Sequence, residues 1–415
     1  MIVSEAIEQL DCRSCGAPLS DTVLDLGAQP LANKLLNSLD EAKQEMRFPL
    51  ELKVCPSCSL MQLGHTVPPD AMFSEYLYFS SVSDAMLKHA RSAAENHKRD
   101  YALSDKSLVV EVASNDGYLL RNFVQAGIPC LGVEPARNIA EAAEASGIPT
   151  VREFFTAEAA RKIRAERGAA DLILGNNVFA HVPKTNDFVH GLSLLLAPHG
   201  RVILEFPWAQ EMVKKLEFDT IYHEHFFYFH AQALVPLFAR HGLEMVRIDR
   251  LPIHGGSLRV HAAHRGAAVP DASVGQVLAL EKLVGVGTSE YYAAFAGKVE
   301  KLKSELAAEI AVVKQSGKRL AAYGASAKGS TLLNYCGVRR SQCEFVADRS
   351  PHKQGKFTPG THLPIFAASS LEEESPDVTL LLTWNFAEEI VAQQTAYLTS
   401  GGRFLVPVPR PHYLL

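Results

Sequence analysis

Short apolar runs alternate with helical patterns through the middle of the chain. The series begins with SLVVEVASNDGYLLRNFVQAG, which predicts a strand, a loop and a helix. It continues, in chain order, with IPCLGVEP, a helix near 156–167, DLILGNN, a helix near 185–197, and RVILEFP. Alternation of this kind predicts βαβ units and a parallel sheet.

A long helix and a second alternating series follow. Seven apolar residues spaced by three or four predict this helix, and Gly317 suits its C-terminal end. The seven residues are Tyr292, Phe295, Val299, Leu302, Leu306, Ile310 and Val313. Four strand-like runs then predict a second, smaller Rossmann-like sheet: KRLAAYG, CEFVAD, VTLLLTW and RFLVPVP. We therefore expect three domains, at residues 1–75, 76–245 and 246–415, and the last one opens with the strand-like pieces RIDRLPIHGGSLRVHAAH.

Composition narrows the class of protein. The 415 residues are 47% hydrophobic and 21% charged, as in soluble globular proteins. The net charge of −5 disfavours general attraction to nucleic acid. No run approaches the ~20 apolar residues of a transmembrane helix. The start, MIVSEAIEQLDCRSCG, lacks the pattern of a signal peptide, so we expect a cytoplasmic location.

Four of the seven cysteines form two close pairs near the start of the chain. They are arranged as two C-x-x-C knuckles, Cys12 with Cys15 and Cys55 with Cys58. Two knuckles supply four thiolates to one tetrahedral ion, and zinc is the metal that prefers this set. Because no position is left for water, we expect the zinc to be structural. A thioredoxin-like redox pair is the alternative, but neither pair opens a helix after a clear strand.

A loop with polar side chains follows the first of these strands. The apolar strand ends in Glu111, a short loop follows, and a helix begins after Gly117. At the carboxyl edge of a parallel sheet, such a loop lets backbone N–H groups approach a ligand. Glu134 ends the next strand, where a carboxylate can accept hydrogen bonds from both ribose hydroxyls. The two features suit NAD or S-adenosylmethionine, and the absence of G-x-G-x-x-G disfavours NAD and a dehydrogenase.

The segments ExxSNDGxLL, GVEP and DLILGNNVFAHV look like the cofactor motifs of class I methyltransferases. More narrowly, essentially the whole chain resembles the three-domain sugar C-methyltransferases of deoxysugar pathways. It is most similar to those that methylate C3 of a dTDP-linked 4-keto-deoxysugar, such as the 3-amino sugar precursor of tetronitrose. The resemblance implies an α/β fold with a central class I methyltransferase Rossmann-like domain. An N-terminal zinc-binding domain and a smaller C-terminal Rossmann-like domain would flank it.

The resemblance also implies roles for the residues of the first loop. The residues that would form the cofactor loop are Glu111, Ser114, Asn115, Asp116 and Gly117. Glu134 would hold the ribose, and Asn177 would lie beside the methionine or sulfonium part of S-adenosylmethionine. Ala113 stands where the related enzymes commonly have glycine.

Two polar segments, 176–181 and 222–225, are expected where a methyl donor would point. A sugar carbon becomes a nucleophile when a neighbouring carbonyl acidifies its C–H bond, as a 4-keto group does at C3. Histidine suits the base that removes this proton. Alternatively, His223 and His225 would share one face of a strand and could bind a metal. A third interpretation is a polar aromatic turn over the core.

In the related sugar enzymes, a matching Tyr-x-Glu-His set lines the active site together with an upstream Tyr and His. The matching residues here are Tyr222, Glu224 and His225, with Tyr76 and His181 upstream. We expect His225 to be the base, with Tyr222 as the alternative, and Glu224 to orient a neighbour. His181 or Tyr76 would contact the C4 oxygen. If Tyr222 and His225 share a face, the segment is turn-like or helical.

The sequence KRLAAYGASAKGSTLLN at 318–334 predicts a strand, a Gly/Ser loop with one lysine, and a helix. Backbone donors, a helix N-terminus and a lysine suit a phosphate, although the order of residues is not that of a Walker A motif. An ordinary Rossmann-type turn is the alternative. By resemblance, this domain holds the nucleotide of the substrate through Tyr323, Ser326, Lys328 and Asn385. Arg259, in a family-like HGGSLR motif, would contact substrate or form a salt bridge.

The predicted function is methyl transfer from S-adenosylmethionine to C3 of a dTDP-linked 4-keto-deoxysugar, in deoxysugar or antibiotic biosynthesis. The expected substrate is a 3-amino-2,3,6-trideoxy sugar, and the reaction would use a base-catalysed enolate. Another carbon or another nucleotide sugar is an alternative. A zinc-containing nucleic-acid-binding protein is a further one, which the acidic residues of segment 37–51 disfavour. We expect a small-molecule partner, no nucleic acid or membrane, and a monomer or weak homo-oligomer.

Overall fold

The computed structural model describes residues 7–8, 11–67 and 79–414 of the chain. Most of the described strands form three sheets, one for each part of the chain, and β1 and β5 pair separately. The strands are β1 (Ile7–Glu8), β2 (Asp21–Pro30), β3 (Arg47–Val54), β4 (Met61–Leu63), β5 (His65–Thr66), β6 (Val109–Val112), β7 (Cys130–Val133), β8 (Thr150–Val151), β9 (Ala170–Asn176), β10 (Leu196–Pro207), β11 (Phe227–Tyr228), β12 (Leu243–Leu251), β13 (Ser257–His264), β14 (Leu320–Tyr323), β15 (Val346–Asp348), β16 (Ile365–Ala367), β17 (Val378–Leu381), β18 (Arg403–Val406) and β19 (His412–Leu414).

Helices cover both faces of the two larger sheets. They are α1 (Asp84–Asp100), α2 (Arg121–Val124), α3 (Arg137–Ala145), α4 (Ala157–Arg167), α5 (Thr185–Leu195), α6 (Ala209–Lys215), α7 (Ala231–Arg240), α8 (Ala272–Leu283), α9 (Ser289–Gln315), α10 (Ala327–Tyr335), α11 (Ser370–Glu374), α12 (Ala387–Gln393) and α13 (Thr395–Thr399). Within the described part of the chain, no helix has both the length and the apolar character of a membrane span.

The central sheet has seven strands in the order β12-β13-β10-β9-β6-β7-β8. Strands β6 to β10 of this sheet are parallel, and β13 and β12 add to it in antiparallel orientation. All four residues of β6 are buried, because helices cover both faces of a parallel sheet. The sheet continues to His264 and so extends past residue 245, the expected end of the central domain.

The N-terminal sheet takes one of its strands from the central segment of the chain. Its order is β11-β4-β3-β2, and all neighbouring strands are antiparallel. Strand β3 alternates half-buried and buried residues, as expected of a sheet that buries one face. Strand β11 begins two residues after His225, so this sheet reaches the predicted catalytic segment.

The C-terminal sheet has the order β16-β15-β14-β17-β18-β19, with only β19 antiparallel to its neighbour. The long helix predicted before it is confirmed as α9. All seven apolar residues named for its inner face are buried. Gly317 follows the helix with φ of +72°, a conformation that suits glycine after a helix end.

Candidate active site and metal centre

The two cysteine knuckles of the N-terminal domain converge on one point. Their four sulfur atoms lie within 4.8 Å of one another. The Sγ atoms of Cys12 and Cys58 are 3.6 Å apart, and those of Cys15 and Cys55 are 3.4 Å apart. In a tetrahedral zinc site with Zn–S bonds of about 2.3 Å, the sulfurs are separated by roughly 3.8 Å. The cluster therefore fits zinc, and the four thiolates fill the coordination sphere of a structural ion.

The loop after β6 has an unusual backbone. Ala113 and Asn115 have φ values of +52° and +50°, and Gly117 has +75°. A Cβ atom at position 117 would lie 1.9 Å from Cδ1 of Ile148, so the loop requires glycine there. This compact turn brings backbone groups to the carboxyl edge of the central sheet, where a nucleotide-type ligand binds in such folds.

Glu134 connects this loop to the neighbouring strand β7. One carboxylate oxygen accepts a hydrogen bond from the backbone N–H of Asn115 at 3.0 Å, and the other accepts one from Ala136 at 2.9 Å. Burial raises the pKa of Glu134, and the two backbone donors oppose that shift. Each carboxylate oxygen can accept a second hydrogen bond, so Glu134 fits the ribose-binding role.

Three buried polar atoms around the loop have no hydrogen-bond partner among the described residues. They are Oε2 of Glu111, Oγ of Ser114 and Oδ1 of Asp116. Buried polar groups in folded proteins are nearly always bonded, so these atoms indicate a ligand-binding position. Burial raises the pKa of Glu111 well above its usual value, and the charges of Glu134 and Asp116 raise it further. The acidic surroundings suit a cationic ligand such as S-adenosylmethionine.

A segment before α1 covers the same loop. The backbone N–H of Ser80 donates to Oδ1 of Asn115 at 2.9 Å, and that of Ser81 donates to Oδ2 of Asp116 at 3.2 Å. Asn177 lies just after β9 with φ of +55°. The seven residues predicted to bind the cofactor thus belong to β6, β7, β9 and the loops that follow them.

Tyr222 and His225 form a hydrogen-bonded pair in a tight turn. The phenolic oxygen of Tyr222 lies 2.7 Å from Nε2 of His225, and the backbone N–H of His225 donates to the carbonyl oxygen of Tyr222. The Nδ1 atom of His225 lies 2.9 Å from the carbonyl oxygen of Thr220. Because a carbonyl oxygen only accepts, Nδ1 carries the hydrogen, and Nε2 of the neutral ring has the basic lone pair.

The other predicted catalytic residues lie around this turn, except for one outside the described residues. The rings of His181 and His225 meet edge to face with centroids 4.7 Å apart. Burial lowers the pKa of His181 to about 4, so its ring is neutral at neutral pH. The carboxylate of Glu224 accepts both of its hydrogen bonds from Nδ2 of Asn33, at 2.9 Å each. Tyr76 lies outside the described residues.

His223 and His225 do not face one another. The ring of His223 donates from Nε2 to the carbonyl oxygen of Pro49 at 3.2 Å and lies edge to face with Phe48. The segment is a turn and not a strand, so alternate residues do not share a face. Within the described ranges, the cysteine cluster is the one group of side chains with metal-ligand geometry. The interpretation of His223 and His225 as metal ligands is therefore wrong.

The second loop, after β14, leads into the N-terminus of α10. Ser326 caps this helix by accepting a hydrogen bond from the backbone N–H of Gly329 at 3.0 Å. The ammonium group of Lys328 lies 5.2 Å from the ring centroid of Trp384, next to Asn385 in a short 3-10 helix. Tyr323 ends the strand, and burial raises its pKa. Four predicted substrate residues thus belong to one end of the C-terminal sheet.

Sequence reasoning missed three residues of this region. Asp348 ends β15 and accepts hydrogen bonds from the backbone N–H groups of Ala325 at 2.7 Å and Ser350 at 2.8 Å. The indole N–H of Trp384 donates to the buried carboxylate of Asp219 at 2.7 Å. The signal for Asp348 was present, since it ends the strand after the loop as Glu134 does. Asp219 and Trp384 are distant in sequence and have no shared pattern.

Arg259 lies apart from the other predicted substrate residues. It is on β13 of the central sheet, where its guanidinium donates to the buried carboxylate of Glu205 at 2.7 and 3.0 Å. His89 of α1 donates to the other oxygen of the same carboxylate at 2.8 Å. The structure thus places Arg259 in a buried ion pair, which is the second of the two roles expected for it.

Three family models match the chain in the order expected. Residues 12–73 match a zinc binding domain, residues 86–248 a methyltransferase domain, and residues 252–409 the C-methyltransferase C-terminal domain. C-methyltransferase NovU of Streptomyces niveus is 39% identical over 405 residues, which cover 97% of this chain and 96% of that protein. An uncharacterized methyltransferase of Mycobacterium leprae, ML2584, is 29% identical over 99 residues, or 24% of this chain and 36% of that protein.

Solved methyltransferase structures are similar to part of the chain. Magnesium protoporphyrin IX methyltransferase from Synechocystis PCC 6803, with bound SAH, is 15% identical and covers 43% of this chain and 83% of its own, with a TM-score of 0.34. The family assignment depends instead on the full-length relative and on the three family models. The chain belongs to the three-domain, zinc-containing C-methyltransferases that use S-adenosylmethionine.

Proposed function

We propose that the protein transfers a methyl group from S-adenosylmethionine to C3 of a dTDP-linked 4-keto-deoxysugar of the 3-amino-2,3,6-trideoxy type. The observation that supports this most is the position of the Tyr222–His225 turn between the two loop sites. On one side, the backbone N–H of Phe226 donates to the carbonyl oxygen of Ala180 at 2.8 Å, close to the end of β9. A substrate whose nucleotide is held at the second loop would therefore present its sugar to the turn, on the side that faces the cofactor loop.

The other side of the turn contacts the C-terminal domain. The hydroxyl of Thr331 on α10 donates to the carbonyl oxygen of Ile221 at 3.2 Å. Lys328 and the N-terminus of the same helix offer a positive charge and backbone donors to a diphosphate. A nucleotide held there would leave the sugar pointing toward Tyr222. This arrangement supports a nucleotide-linked substrate over a free sugar.

The pair can act as a base because of its hydrogen-bonded arrangement. The carbonyl oxygen of Thr220 fixes the tautomer of His225, so Nε2 is the atom that accepts a proton. We assign His225 as the base, with Tyr222 on the same proton path since its hydroxyl lies 2.7 Å from Nε2. Removal of the C3 proton leaves an enolate whose negative charge is shared by C3 and the C4 oxygen. S-adenosylmethionine supplies an electrophilic methyl group for the carbon.

The enolate oxygen needs a hydrogen-bond donor. We propose His181 for the contact with the C4 oxygen, because its ring lies edge to face with that of His225. Tyr76 is the second donor that we propose. Loss of one such donor typically lowers kcat by ~100- to 1000-fold. Glu224 contributes by fixing the turn through its contact with Asn33.

Proton removal can be measured separately from methyl transfer. The enzyme with S-adenosylhomocysteine in D2O is expected to exchange the C3 proton of a dTDP-4-keto sugar, and NMR follows the loss of its signal. His225→Asn should lose both this exchange and methylation, while both ligands still bind. Tyr222→Phe should retain part of the exchange, since Nε2 stays in place. Exchange at the wild-type rate in His225→Asn would contradict the assignment and move the base to Tyr222.

The substrate itself is tested by product analysis. A panel of dTDP-4-keto sugars, with and without a 3-amino group, is incubated with the enzyme and S-adenosylmethionine. We expect a new methyl carbon bonded to C3 in the NMR spectrum of the product, and faster turnover of the 3-amino sugar. A methyl group on C5, or turnover of another nucleotide sugar alone, would contradict the proposed substrate.

A further inference from the structure

The catalytic turn continues directly into the sheet of the zinc-binding domain. Phe227 of β11 pairs with Gln62 of β4, and Tyr228 pairs with Met61. The backbone N–H of Leu63 also donates to the carbonyl oxygen of Phe226 at 3.0 Å. The chain just after His225 is therefore the outer strand of a sheet whose next strand begins three residues after Cys58.

The side chain of Gln62 links this strand to the other cysteine knuckle. Gln62 is fully buried, and its Nε2 donates to Sγ of Cys12 at 3.2 Å. Its Oε1 accepts a hydrogen bond from the backbone N–H of Arg13 at 3.1 Å. Gln62 therefore contacts the first knuckle with its side chain and the catalytic segment with its backbone.

The first knuckle is itself fixed to the central domain. Nδ2 of Asn186, on α5, donates to the carbonyl oxygens of Arg13 at 2.7 Å and Ser14 at 2.9 Å. The guanidinium of Arg13 donates to the carbonyl oxygen of Leu63 at 2.8 Å. A metal bound by both knuckles would thus connect α5 to β4, and β4 connects to the turn.

We propose that the zinc centre positions the catalytic turn and that Gln62 is the positioning residue that joins the two. This role rests on the proposed function, because it assumes that His225 in the turn is the catalytic base. The zinc would then stabilise the active site as well as the fold of its own domain. Residues that hydrogen-bond to metal ligands commonly change affinity or activity by ~10- to 100-fold when replaced. The strand pairing carries that effect to Phe226 and then to His225.

Hydrogen exchange measures this positioning without any substrate. In Gln62→Leu, the backbone amides of the peptide 221–229 should exchange ~2- to 10-fold faster than in the wild-type protein, the increase expected when one hydrogen bond that holds the strand is lost. The peptide 109–120, around the cofactor loop, should be unaffected. The matched control is Thr22→Val on β2, at the opposite edge of the same sheet, where the side chain contacts Glu51. Unchanged exchange at 221–229 in Gln62→Leu would overturn the proposal.

A second measurement covers the case in which Gln62→Leu does not fold. Chelation of zinc from the wild-type protein should accelerate exchange at 221–229, and addition of zinc should restore it. Equal acceleration at 109–120 would mean general unfolding and would overturn the proposal. Replacement of zinc by Co²⁺ adds a local readout, since loss of the hydrogen bond to Cys12 should shift the thiolate-to-cobalt absorption band in Gln62→Leu and not in Thr22→Val.

Kinetics distinguish positioning from a simple loss of folded protein. For Gln62→Leu, kcat per S-adenosylmethionine-binding molecule should fall ~10- to 100-fold while the Kd for S-adenosylmethionine stays within about twofold. An unchanged kcat with a retained fold would contradict the role of Gln62. If no sugar is methylated by the wild-type enzyme, the proposed function fails, but the exchange measurements still decide the role of the zinc.

Discussion

The two loops that follow β6 and β14 share one backbone arrangement. In the central sheet, Glu134 accepts hydrogen bonds from Asn115 in the loop and from the residue two positions after itself. In the C-terminal sheet, Asp348 accepts hydrogen bonds from Ala325 in the loop and from the residue two positions after itself. Each loop follows a buried parallel strand. The shared geometry therefore does not determine which ligand binds where.

The charges around the two loops do differ. The first loop is surrounded by the carboxyl groups of Glu111, Asp116 and Glu134, and the pKa of Glu111 is raised by burial and by the other two. The second loop contacts one carboxylate, that of Asp348, and it has two lysines beside it: Lys328 on its helix and Lys353, whose Nζ donates to the carbonyl oxygen of Ala325 at 2.8 Å. A cationic cofactor suits the first site and an anionic phosphate the second. We therefore propose that side-chain charge, on a common backbone arrangement, directs the methyl donor to the first loop and the substrate to the second.

Among the variants that test the difference between the two loops, the largest expected effect comes from Lys328 at the second loop. Lys328→Ala should raise the KM of the nucleotide sugar ~10- to 100-fold, because a charge-assisted hydrogen bond contributes about 1.5–3 kcal/mol. The kcat should change less, since a contact remote from the reacting atoms mostly supplies binding energy. The Kd for S-adenosylmethionine, measured by calorimetry, should stay the same. A fall in kcat alone would show that Lys328 acts at the reacting centre and not on the phosphate.

Replacement of Glu134 tests whether the first loop binds the cofactor. Glu134→Gln should weaken S-adenosylmethionine binding about tenfold, which corresponds to ~1.4 kcal/mol. One side-chain oxygen is replaced by a donor that faces a backbone N–H group or a ribose hydroxyl. Asp348→Asn is the matched variant in the second site, and it should weaken nucleotide binding only. If both variants weaken the same ligand, the two sites are not separate.

Sequence patterns were sufficient where the interactions are local. The spacing of apolar residues located α9 and its buried face, because helical burial repeats every three or four residues. The cysteine spacing also located the metal centre, because each C-x-x-C pair is local in sequence and supplies two ligands to one zinc ion. Glu134 was predicted beside the first loop because it follows β7, the strand after β6, and its hydrogen bond from the backbone N–H of Asn115 agrees with that position.

Long-range pairing was not predictable from these patterns. Strands β12 and β13 were expected in the C-terminal domain, yet they hydrogen-bond to β10 of the central sheet. Strand β11 has only two residues, too few to form an alternating pattern, although it joins the catalytic turn to the zinc-binding domain. Asp348 has the same sequence pattern as Glu134, since each carboxylate ends the strand that follows a loop and helix.

The next effect in size is a pH dependence of the free energy of unfolding that comes from Glu217, an acidic residue near Lys328. Burial raises the pKa of Glu217 to about 7, while the charge of Lys328 lowers it. Because the folded pKa lies above the unfolded value, this group stabilises the fold at low pH, and that contribution is lost as pH rises through 7. The free energy of unfolding should therefore fall by ~1 kcal/mol between pH 6 and 8 through this group. In Glu217→Gln, that decrease should be absent from urea unfolding curves, and a decrease identical to that of the wild-type protein would contradict the assignment.

The smallest expected effect is at the residue where the first loop departs from related enzymes. Ala113 has φ of +52°, which costs a non-glycine residue about 1–2 kcal/mol, but glycine loses more entropy on folding, by about 0.4–1 kcal/mol. Ala113→Gly should thus raise the free energy of unfolding by no more than ~1.6 kcal/mol. It should tighten S-adenosylmethionine binding about two- to threefold, or ~0.5 kcal/mol, because the methyl group at the carboxyl edge of β6 is removed.

Ala102→Gly is the matched control, since Ala102 has φ of +49° after α1, away from the loop. Ala102→Gly should change the free energy of unfolding as Ala113→Gly does and leave the Kd for S-adenosylmethionine unchanged. An equal change of this Kd in both variants would mean that glycine at position 113 has no specific effect on cofactor binding.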